Sequence, residues 1–295
     1  MIVISGSHGL VGSALVTALK VRGDDVRRLV RHAPRAADEI AWNPDAGEID
    51  GAALEGATVV INLAGENIAQ RWTRNAKRRI RDSRVQGTTL IARTIAARSD
   101  KPNLLVNASA VGVYGDRGEE ELDERSATGA GFLASVCRDW EAATRPASDT
   151  GIRVAMLRTG VVLDSDGGAL PKLLVPFRLG LGGRIGSGRQ WMSWIALGDV
   201  VRAVLQIVDD ATLEGPIDTV SPNPVRNVEL ARALGRVLHR PALIPVPAIA
   251  IRLALGTMGV ESLLASQRAR PARLLACGFR FEQPTVESAL RAALG

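Results

Sequence analysis

The first twelve residues constrain the fold most, because a short apolar run leads directly into three evenly spaced glycines. Residues 1–4 are apolar and mostly β-branched, which predicts a buried strand, and residues 13–20 have the character of a helix. Between them, Gly6 permits a sharp turn, Gly9 lets backbone approach a pyrophosphate, and Gly12 lets helix and strand pack. Glycines at this spacing also occur in tight turns that bind nothing. Their place directly after an apolar run favours the phosphate site.

The second predicted strand, residues 25–31, ends in a basic residue. In dinucleotide-binding folds an acid at this position binds the ribose 2′-hydroxyl of NAD, whereas an arginine accepts the 2′-phosphate of NADP. Here Arg31 closes the strand, His32 and Arg35 follow, and no acid is present. This ending favours NADP, and the alternative is that Arg31 is only a solvated strand end.

Strands and helices alternate over the first 165 residues, which predicts an α/β fold with a Rossmann-type, doubly wound parallel sheet. Apolar runs at 57–65 and 103–109 are typical of strands buried on both faces. Residues 152–163 predict a further strand, interrupted by Arg158-Thr-Gly160. We expect residues 1–165 to form the NAD(P)-binding domain, joined by returning segments from 190–225. Residues 166–295 are expected to form a smaller, mainly substrate-side α/β part. Its predicted helices lie at 199–208, 227–238, 249–255 and 261–276, with a last one from 285.

Composition excludes several classes of protein. No apolar stretch reaches ~18 residues, so no transmembrane helix is expected, and no basic leader precedes the first strand. The two cysteines, Cys137 and Cys277, indicate a reducing, cytoplasmic compartment. They and the three histidines are scattered without the spacing of metal ligands, so no metal site is predicted.

The densest basic segment, residues 71–84, has three interpretations. It is a nucleic-acid helix, a solvated helix face, or a segment whose last residue, Arg84, reaches a cofactor phosphate. The net charge of +6 is compatible with each. Aromatic residues make up only 3% of the chain, so the stacking array of single-strand binders is missing, and we do not expect a nucleic-acid partner.

Polar candidates for chemistry follow the predicted strands. Residues 63–65 (Leu-Ala-Gly) lack bulk and would let a cofactor lie across the strand end, and Glu66 and Asn67 follow at the crevice. The strand 103–109 delivers Ser109 to a carboxyl end, and Tyr114 lies just beyond it. Arg189 and Trp194 are further candidates for the substrate crevice. Each of these residues also has a purely structural alternative.

With these motifs in hand, the chain resembles the extended branch of the short-chain dehydrogenase/reductases, and within it the atypical "epimerase family" proteins. These are nucleoside-diphosphate-sugar epimerase-like and NADP-binding. The motifs that carry the resemblance are Asn-Leu-Ala-Gly-Glu-Asn at 62–67, Trp72 with Lys77, Ile80, Ser83 and Arg84, Cys137-x-x-Trp-Glu141, Pro-Phe-Arg-Leu-Gly-Leu-Gly-Gly at 176–183, and the segment from Ser266 to Phe279. The family implies an NADP site made of Gly6, Gly9, Leu10, Val11, Gly12, Arg31, Leu63, Ala64, Gly65 and Arg84. Ala196 and Gly198 depart from the family pattern, which puts a substrate-side contact in doubt.

The superfamily moves a proton and a hydride with Tyr-x-x-x-Lys and a serine or threonine, because the lysine lowers the tyrosine pKa. This chain has one tyrosine, Tyr114, and residue 118 is glycine, so that dyad does not occur. Counting back from Glu141 by the family spacing places Leu133 and Cys137 at the dyad positions.

Three possibilities remain for the chemistry. Ser109 and Tyr114 serve as a substitute proton donor, Cys137 acts as nucleophile or acid, or the protein binds NADP without turnover. We therefore expect an NADP-dependent oxidoreductase or epimerase-like enzyme acting on a small or nucleotide-linked polar substrate, as a monomer or homodimer. The alternative is a non-catalytic NADP(H)-binding regulator, since some relatives carry cell-division-inhibitor names.

Overall fold

The computed structural model describes residues 1–295 and has an eight-stranded sheet at its centre. The strands of the whole chain are β1 (Ile2–Ser5), β2 (Val26–Val30), β3 (Glu39–Asn43), β4 (Glu48–Ile49), β5 (Val59–Asn62), β6 (Leu104–Ala110), β7 (Glu121–Leu122), β8 (Arg153–Thr159), β9 (Val161–Leu163), β10 (Trp191–Met192), β11 (Trp194–Ala196), β12 (Gly215–Thr219), β13 (Val225–Arg226) and β14 (Arg268–Ala269).

The central sheet has the order β12-β8-β6-β5-β1-β2-β3-β4, and every neighbouring pair is parallel except β3 with β4. The chain first builds outward from β1 and then returns to build the other half from β5. The strand order therefore reverses between β1 and β5. In open parallel sheets the crevice at the carboxyl ends of such a reversal is where ligands bind.

The helices of the chain are α1 (Leu10–Arg22), α2 (Arg74–Ala96), α3 (Phe132–Ala142), α4 (Arg145–Ser148), α5 (Leu170–Arg178), α6 (Leu197–Asp209), α7 (Asn227–Leu238), α8 (Ala248–Leu255), α9 (Thr257–Gly259), α10 (Ala272–Ala276) and α11 (Val286–Leu294). Helices cover both faces of the central sheet, whereas α5, α7 and α11 pack together around a separate core. The longest, α2, is strongly charged, and none of the helices combines the length and apolar character needed to cross a bilayer.

Alternating strand residues divide the core into two layers, as a sheet covered on both faces requires. Ile2 and Ile4 pack with α1 and α6 on one face, whereas Val3 packs with α2 and α4 on the other. The predicted doubly wound α/β sheet is confirmed. Helix α6 and strand β12, from the expected returning segment, complete the sheet and one helical layer. The division into two domains near residue 165 stays a prediction.

One part of the predicted layout was wrong. The expected helix at 261–276 is instead a π-helical turn at Val260–Leu264, then β14 and the short α10. Pro271 has no N–H and disfavours a helical residue before it, and residues 267 and 270 donate their backbone N–H groups to Trp191 and Leu122. The predicted interruption of the strand at 152–163 is confirmed, because β8 and β9 are divided at Gly160.

A buried polar network joins the carboxyl ends of the central strands. Asn62, at the end of β5, accepts a hydrogen bond from Ser5 Oγ at 2.6 Å and donates to Asn107 Oδ1 at 2.7 Å and Thr88 Oγ1 at 2.8 Å. The indole N–H of Trp140 also donates to Thr88 at 2.9 Å. These side chains satisfy one another away from water and so fix β1, β5, β6, α2 and α3 at one edge.

We expect Asn62→Ala to lower the free energy of unfolding by about 2–3 kcal/mol, because it leaves the buried Ser5 hydroxyl without its acceptor and removes one of the two donors to Asn107 Oδ1. Urea denaturation followed by circular dichroism measures this loss. Asn103→Ala is the matched control, since Asn103 is exposed. Equal stability of the two variants would contradict the structural role of the network.

Candidate functional site

The turn between β1 and α1 is held in place by backbone contacts that leave no room for side chains. Gly6 has φ +70°, and a Cβ there would lie 2.7 Å from the carbonyl carbon of Leu63. A Cβ on Gly12 would collide with the carbonyl oxygen of Gly6, to which the N–H of Gly9 donates at 3.0 Å. The loop is therefore a compact backbone surface pressed against the end of β5.

The first turn of α1 opens at this edge without an internal partner for its N–H groups. Its N-cap is Gly9, which provides no capping side chain, and the first turn contains no acidic residue. Unpaired N–H groups and the positive end of the helix dipole favour an anion at such a place. The predicted phosphate residues Gly6, Gly9, Leu10, Val11 and Gly12 lie together here.

The end of β5 forms the other side of the crevice, where Leu63, Ala64 and Gly65 follow directly after Asn62. The guanidinium of Arg84 covers Gly65 so closely that a Cβ there would lie 3.0 Å from Arg84 Cζ.

Arg84 is a sheltered cation without a carboxylate partner. It lies 4.9 Å above the Trp140 ring, and Nη1 donates at 3.0 Å to the carbonyl oxygens of Glu66 and Ile80. Burial lowers the pKa of Arg84, and the nearby Cys137 and Glu66 oppose that effect. An arginine remains protonated even so, and this one is held beside the crevice with no ion pair.

At the end of β2 the structure leaves the Arg31 guanidinium exposed and without an ion pair. Beside it is an open groove of about 550 Å³, whose walls include Arg31, His32 and Trp42. Glu48 and Asp50 also line this groove. A further acid, Glu39, is already engaged: its carboxylate accepts the N–H of Arg35 at 2.7 Å and lies 3.1 Å from Arg28 Nη2. The bond from the Arg35 N–H is the main cause that lowers the pKa of Glu39.

Ser109, at the end of β6, begins a chain of buried polar groups. Its hydroxyl donates to Glu141 Oε1 at 2.7 Å, and both Glu141 oxygens accept from Arg158 at 2.9 Å. Arg158 Nη1 donates to the Tyr114 hydroxyl at 3.1 Å, which in turn donates to the Asp218 carboxylate at 2.8 Å.

The protonation states of these hydrogen-bonded side chains argue against Tyr114 as a proton donor. Burial and the adjacent Asp218 raise the pKa of Tyr114 far above its usual range, and the side chain has no exposed surface. Burial alone would lower the pKa of Arg158, but Glu141 outweighs it and the net direction is upward. Burial and the charge of Glu124 raise the pKa of Asp218. A proton donor needs a lowered pKa and access to substrate, and Tyr114 has neither in this arrangement.

The positions that the family spacing assigned to the dyad hold an apolar residue and a neutral thiol. Cys137 is 4% exposed, and burial together with Glu141 raises its pKa to about 11, so it is not a thiolate nucleophile. Leu133 lies in the first turn of α3. The carboxylate of Glu261 accepts the N–H groups of Phe132 at 3.1 Å and Leu133 at 2.8 Å. Glu261 was missed by the sequence analysis, which placed it inside a helix.

Of the four predicted substrate residues, Trp194 is enclosed in the core, whereas Glu66, Asn67 and Arg189 keep exposed surface. Glu66 accepts from Gln70 and lies 3.7 Å from Arg79, while Asn67 closes a local turn by accepting the N–H of Ala69. Arg189 is exposed. Trp194 is 1% exposed in the core between α5, α7 and α11, and its indole N–H donates to the carbonyl of Asn223. Trp194 therefore does not face the crevice.

A larger cavity of about 860 Å³ lies near the amino ends of β8 and β12. None of the predicted site residues lines it. The glycine loop, Arg31 and Arg84 all lie at the opposite, carboxyl edge, which remains the candidate site.

The raised pKa of Asp218 predicts a specific dependence of stability on pH. In the unfolded chain the Asp218 carboxyl ionises near pH 4, whereas in the folded protein it keeps its proton to higher pH. Its contribution to the free energy of unfolding is therefore present at low pH and is lost as the pH rises toward the pKa of the folded state. The free energy of unfolding falls by at most about 1.4 kcal/mol per pH unit from this group.

We expect Asp218→Asn to remove this slope, because an amide accepts the Tyr114 hydrogen bond without titrating. Urea denaturation between about pH 5 and about pH 8 tests it, with exposed Asp45→Asn as control. A variant as pH-dependent as the wild type would show that Asp218 is ionised throughout.

Comparison with known proteins agrees with this architecture. Residues 2–218 match the model of the NAD dependent epimerase/dehydratase family, and residues 246–293 match a domain of unknown function, DUF1731. Epimerase family protein Mb2239 of Mycobacterium bovis is 45% identical over 98% of this chain and 96% of its own length. Epimerase family protein YfhF of Bacillus subtilis is 36% identical over 98% of this chain and 96% of its own.

Among solved structures, human epimerase family protein SDR39U1 with NADPH has a TM-score of 0.91 and 33% identity, covering 99% of this chain and 98% of that one. Because the relatives match over nearly the full length and the family model covers the whole sheet, the chain belongs to the NAD dependent epimerase/dehydratase family, with a DUF1731 segment at its carboxyl end.

Proposed function

We propose that this chain binds NADP(H) across the carboxyl edge of its sheet and acts as an oxidoreductase or epimerase-like enzyme. The observation that carries the proposal is the loop at Gly6, Gly9 and Gly12. Its close backbone packing leaves a cradle and an uncapped helix N-terminus where a pyrophosphate fits. The bound nicotinamide would supply or accept the hydride.

Three groups of residues in the chain would contact different parts of the cofactor. The N–H groups of Leu10, Val11 and Gly12 would bind the pyrophosphate, and Leu63 to Gly65 would form a floor without bulky side chains. Arg84, held by Trp140 and two carbonyls, would offer its remaining donors to a cofactor phosphate.

Arg31 supports NADP over NAD, because its guanidinium is exposed beyond β2 while Glu39 is neutralised by Arg28. A free arginine there suits a 2′-phosphate, whereas an unengaged acid would suit the 2′-hydroxyl of NAD. That the human relative was solved with NADPH agrees with this choice.

On the substrate side, Glu66, Asn67 and Arg189 are the polar groups we would place near a small or nucleotide-linked polar substrate. Ser109 lies at the carboxyl end of β6 but donates its proton to Glu141. We infer that Tyr114 positions Arg158 and Asp218 and does not transfer the proton, because its hydroxyl is enclosed by both.

A second candidate is a non-catalytic NADP(H)-binding regulator. It is favoured because neither the two dyad positions nor Tyr114 provides a solvent-accessible proton donor with a lowered pKa. Leu133 is apolar, Cys137 is a buried thiol, and Tyr114 is enclosed.

The cofactor assignment predicts that Arg31→Ala weakens NADPH binding roughly 10- to 100-fold, because a charge-assisted phosphate contact is lost. NADH affinity should change little, since NADH has no 2′-phosphate. Calorimetry on both nucleotides measures the difference. Arg232→Ala, which removes one exposed charge from α7, is the control. Equal loss of NADPH and NADH affinity would contradict the role of Arg31, and no binding of either would overturn the proposed function.

Catalysis is separable from binding by a screen of NADPH oxidation over carbonyl substrates. If the chain is an enzyme, Ser109→Ala should lower kcat about 100- to 10,000-fold, the size expected for one group assisting proton transfer. Tyr114→Phe should leave kcat near that of the wild type while lowering the free energy of unfolding by about 1–3 kcal/mol, since Asp218 loses its donor. A kcat loss in Tyr114→Phe without loss of stability would restore the tyrosine as donor.

Tight NADPH binding without turnover of any substrate would favour the regulator.

A further inference from the structure

We propose that His8 and His32 complete the binding site for the nucleotide's 2′-phosphate, so that affinity for the phosphorylated cofactor rises as pH falls through the neutral range. This inference rests on the proposed NADP(H) function and adds two specificity-determining residues to it. The two histidines are 24 positions apart in the sequence.

The fold brings the two rings together at the place where the ribose must lie. His8 is in the loop between Gly6 and Gly9, and His32 follows Arg31 at the end of β2. Strands β1 and β2 are parallel neighbours, so both residues leave the same edge of the sheet. Their ring centroids are 6.2 Å apart at an interplanar angle of 60°. The rings therefore lie between the predicted pyrophosphate cradle and the Arg31 guanidinium.

Each ring keeps a nitrogen for a ligand. His32 Nδ1 is 2.8 Å from the carbonyl oxygen of Ala33, a contact that requires Nδ1 to carry a proton. Its Nε2 is then the acceptor of the neutral ring and becomes a second donor when the ring is protonated. His8 is exposed, and its only hydrogen-bond contact is Nδ1 with Ser7 Oγ at 3.4 Å.

The charges around the pair favour an anion. Glu39 is the acid nearest to both rings, and its oxygens are taken by Arg28 and the Arg35 N–H. Asp38 is likewise held by Arg28 and Lys20, at 2.8 and 2.9 Å. The guanidinium groups of Arg31 and Arg35 form no ion pair in the structure and are the free cations beside the rings. Glu48 and Asp50 line the same groove as Arg31 and His32 and oppose an anion there. The titratable and charged groups around the pair are thus Lys20, Arg28, Arg31, Arg35, Asp38, Glu39, Glu48 and Asp50.

The expected pH dependence follows from the chemistry of the two partners. An imidazole ordinarily titrates near pH 6.5, and a bound phosphate raises that value by stabilising the protonated ring. Binding then takes up protons, so affinity increases from about pH 8 to about pH 6.5. Below about pH 6 the phosphate itself accepts a proton, which limits the effect. A nucleotide without the 2′-phosphate gains nothing from the histidines.

A cation is the competing occupant, because His8, His32 and Glu39 offer ligand atoms that all lie within 4.8 Å of one another. Two arginines without acidic partners beside the cluster oppose a divalent ion, and Glu39 would have to share its oxygens with Arg28. The phosphate is therefore the favoured ligand, and the cation is an outcome of the test.

The experiment titrates the full-length protein with 2′,5′-ADP and with 5′-AMP by calorimetry at about pH 6.5 and about pH 8. Wild-type affinity for 2′,5′-ADP should be roughly fivefold higher at the lower pH for each histidine that gains a charged contact with the phosphate. Affinity for 5′-AMP should not change with pH. His8→Asn and His32→Asn should each remove part of the dependence, and the double variant all of it.

His239→Asn is the matched control, since His239 is the remaining histidine, lies beyond α7, and has φ 53°, which asparagine tolerates. Thermal denaturation checks that every variant is folded. A double variant that retains the wild-type pH dependence, or a wild type whose 2′,5′-ADP affinity is flat with pH, would overturn this inference while leaving the proposed function intact. Failure to bind NADPH at either pH would overturn the proposed function itself. Stoichiometric Zn²⁺ binding that the double variant loses, with no effect on 2′,5′-ADP, would assign the cluster to a cation instead.

Discussion

The close approach of the glycine loop to the end of β5 is the contact on which the rest of the site depends. The backbone of Gly6 meets Leu63 and Ala64 at a distance that excludes any Cβ, and Gly12 meets the carbonyl of Gly6 in the same way. These contacts bring α1 against the sheet at the point where the strand order reverses. Because β1 and β5 are adjacent, their carboxyl ends and the N-terminus of α1 form one continuous edge. Arg31 and Arg84 then flank that edge from β2 and α2.

The carboxyl-terminal segment is held against the rest of the chain by carboxylates that accept backbone N–H groups. Glu261 caps the first turn of α3, and Asp199 accepts the N–H groups of Glu282 and Gln283 at 2.8 and 2.9 Å. Glu124 accepts the N–H groups of both Asp218 and Arg273. A carboxylate that is shielded from water needs hydrogen-bond donors, and the shielded N–H groups need an acceptor, so each satisfies the other. The DUF1731 segment therefore binds back onto the nucleotide half and is not an independent appendage.

The sequence predicted those features that local rules determine. The β-branched run, the spaced glycines and the arginine after β2 indicated the sheet and the expected cofactor edge, since each depends on residues close together in the chain. The edge strand β4 and its neighbour β3 were not predicted, and β4 has only two residues, too few to show a period. The meeting of His8 with His32 was missed for a different reason: scattered residues gave no spacing signal, and only the parallel pairing of β1 and β2 brings them together.

Contacts between distant parts of the chain also explain why the sequence wrongly favoured Tyr114 as the proton donor. Its position after β6 places it at the carboxyl edge, as the superfamily's chemistry would require, and no local feature reveals its burial. Three distant partners enclose it: Asp218 from β12, Arg158 from β8 and the carbonyl of Asp123. Arg158 is also bound by both oxygens of Glu141, so a single buried cation links the tyrosine to Ser109. An arrangement that removes the tyrosine from solvent while keeping serine, glutamate and arginine connected makes this region a structural clamp between β6, β8 and β12.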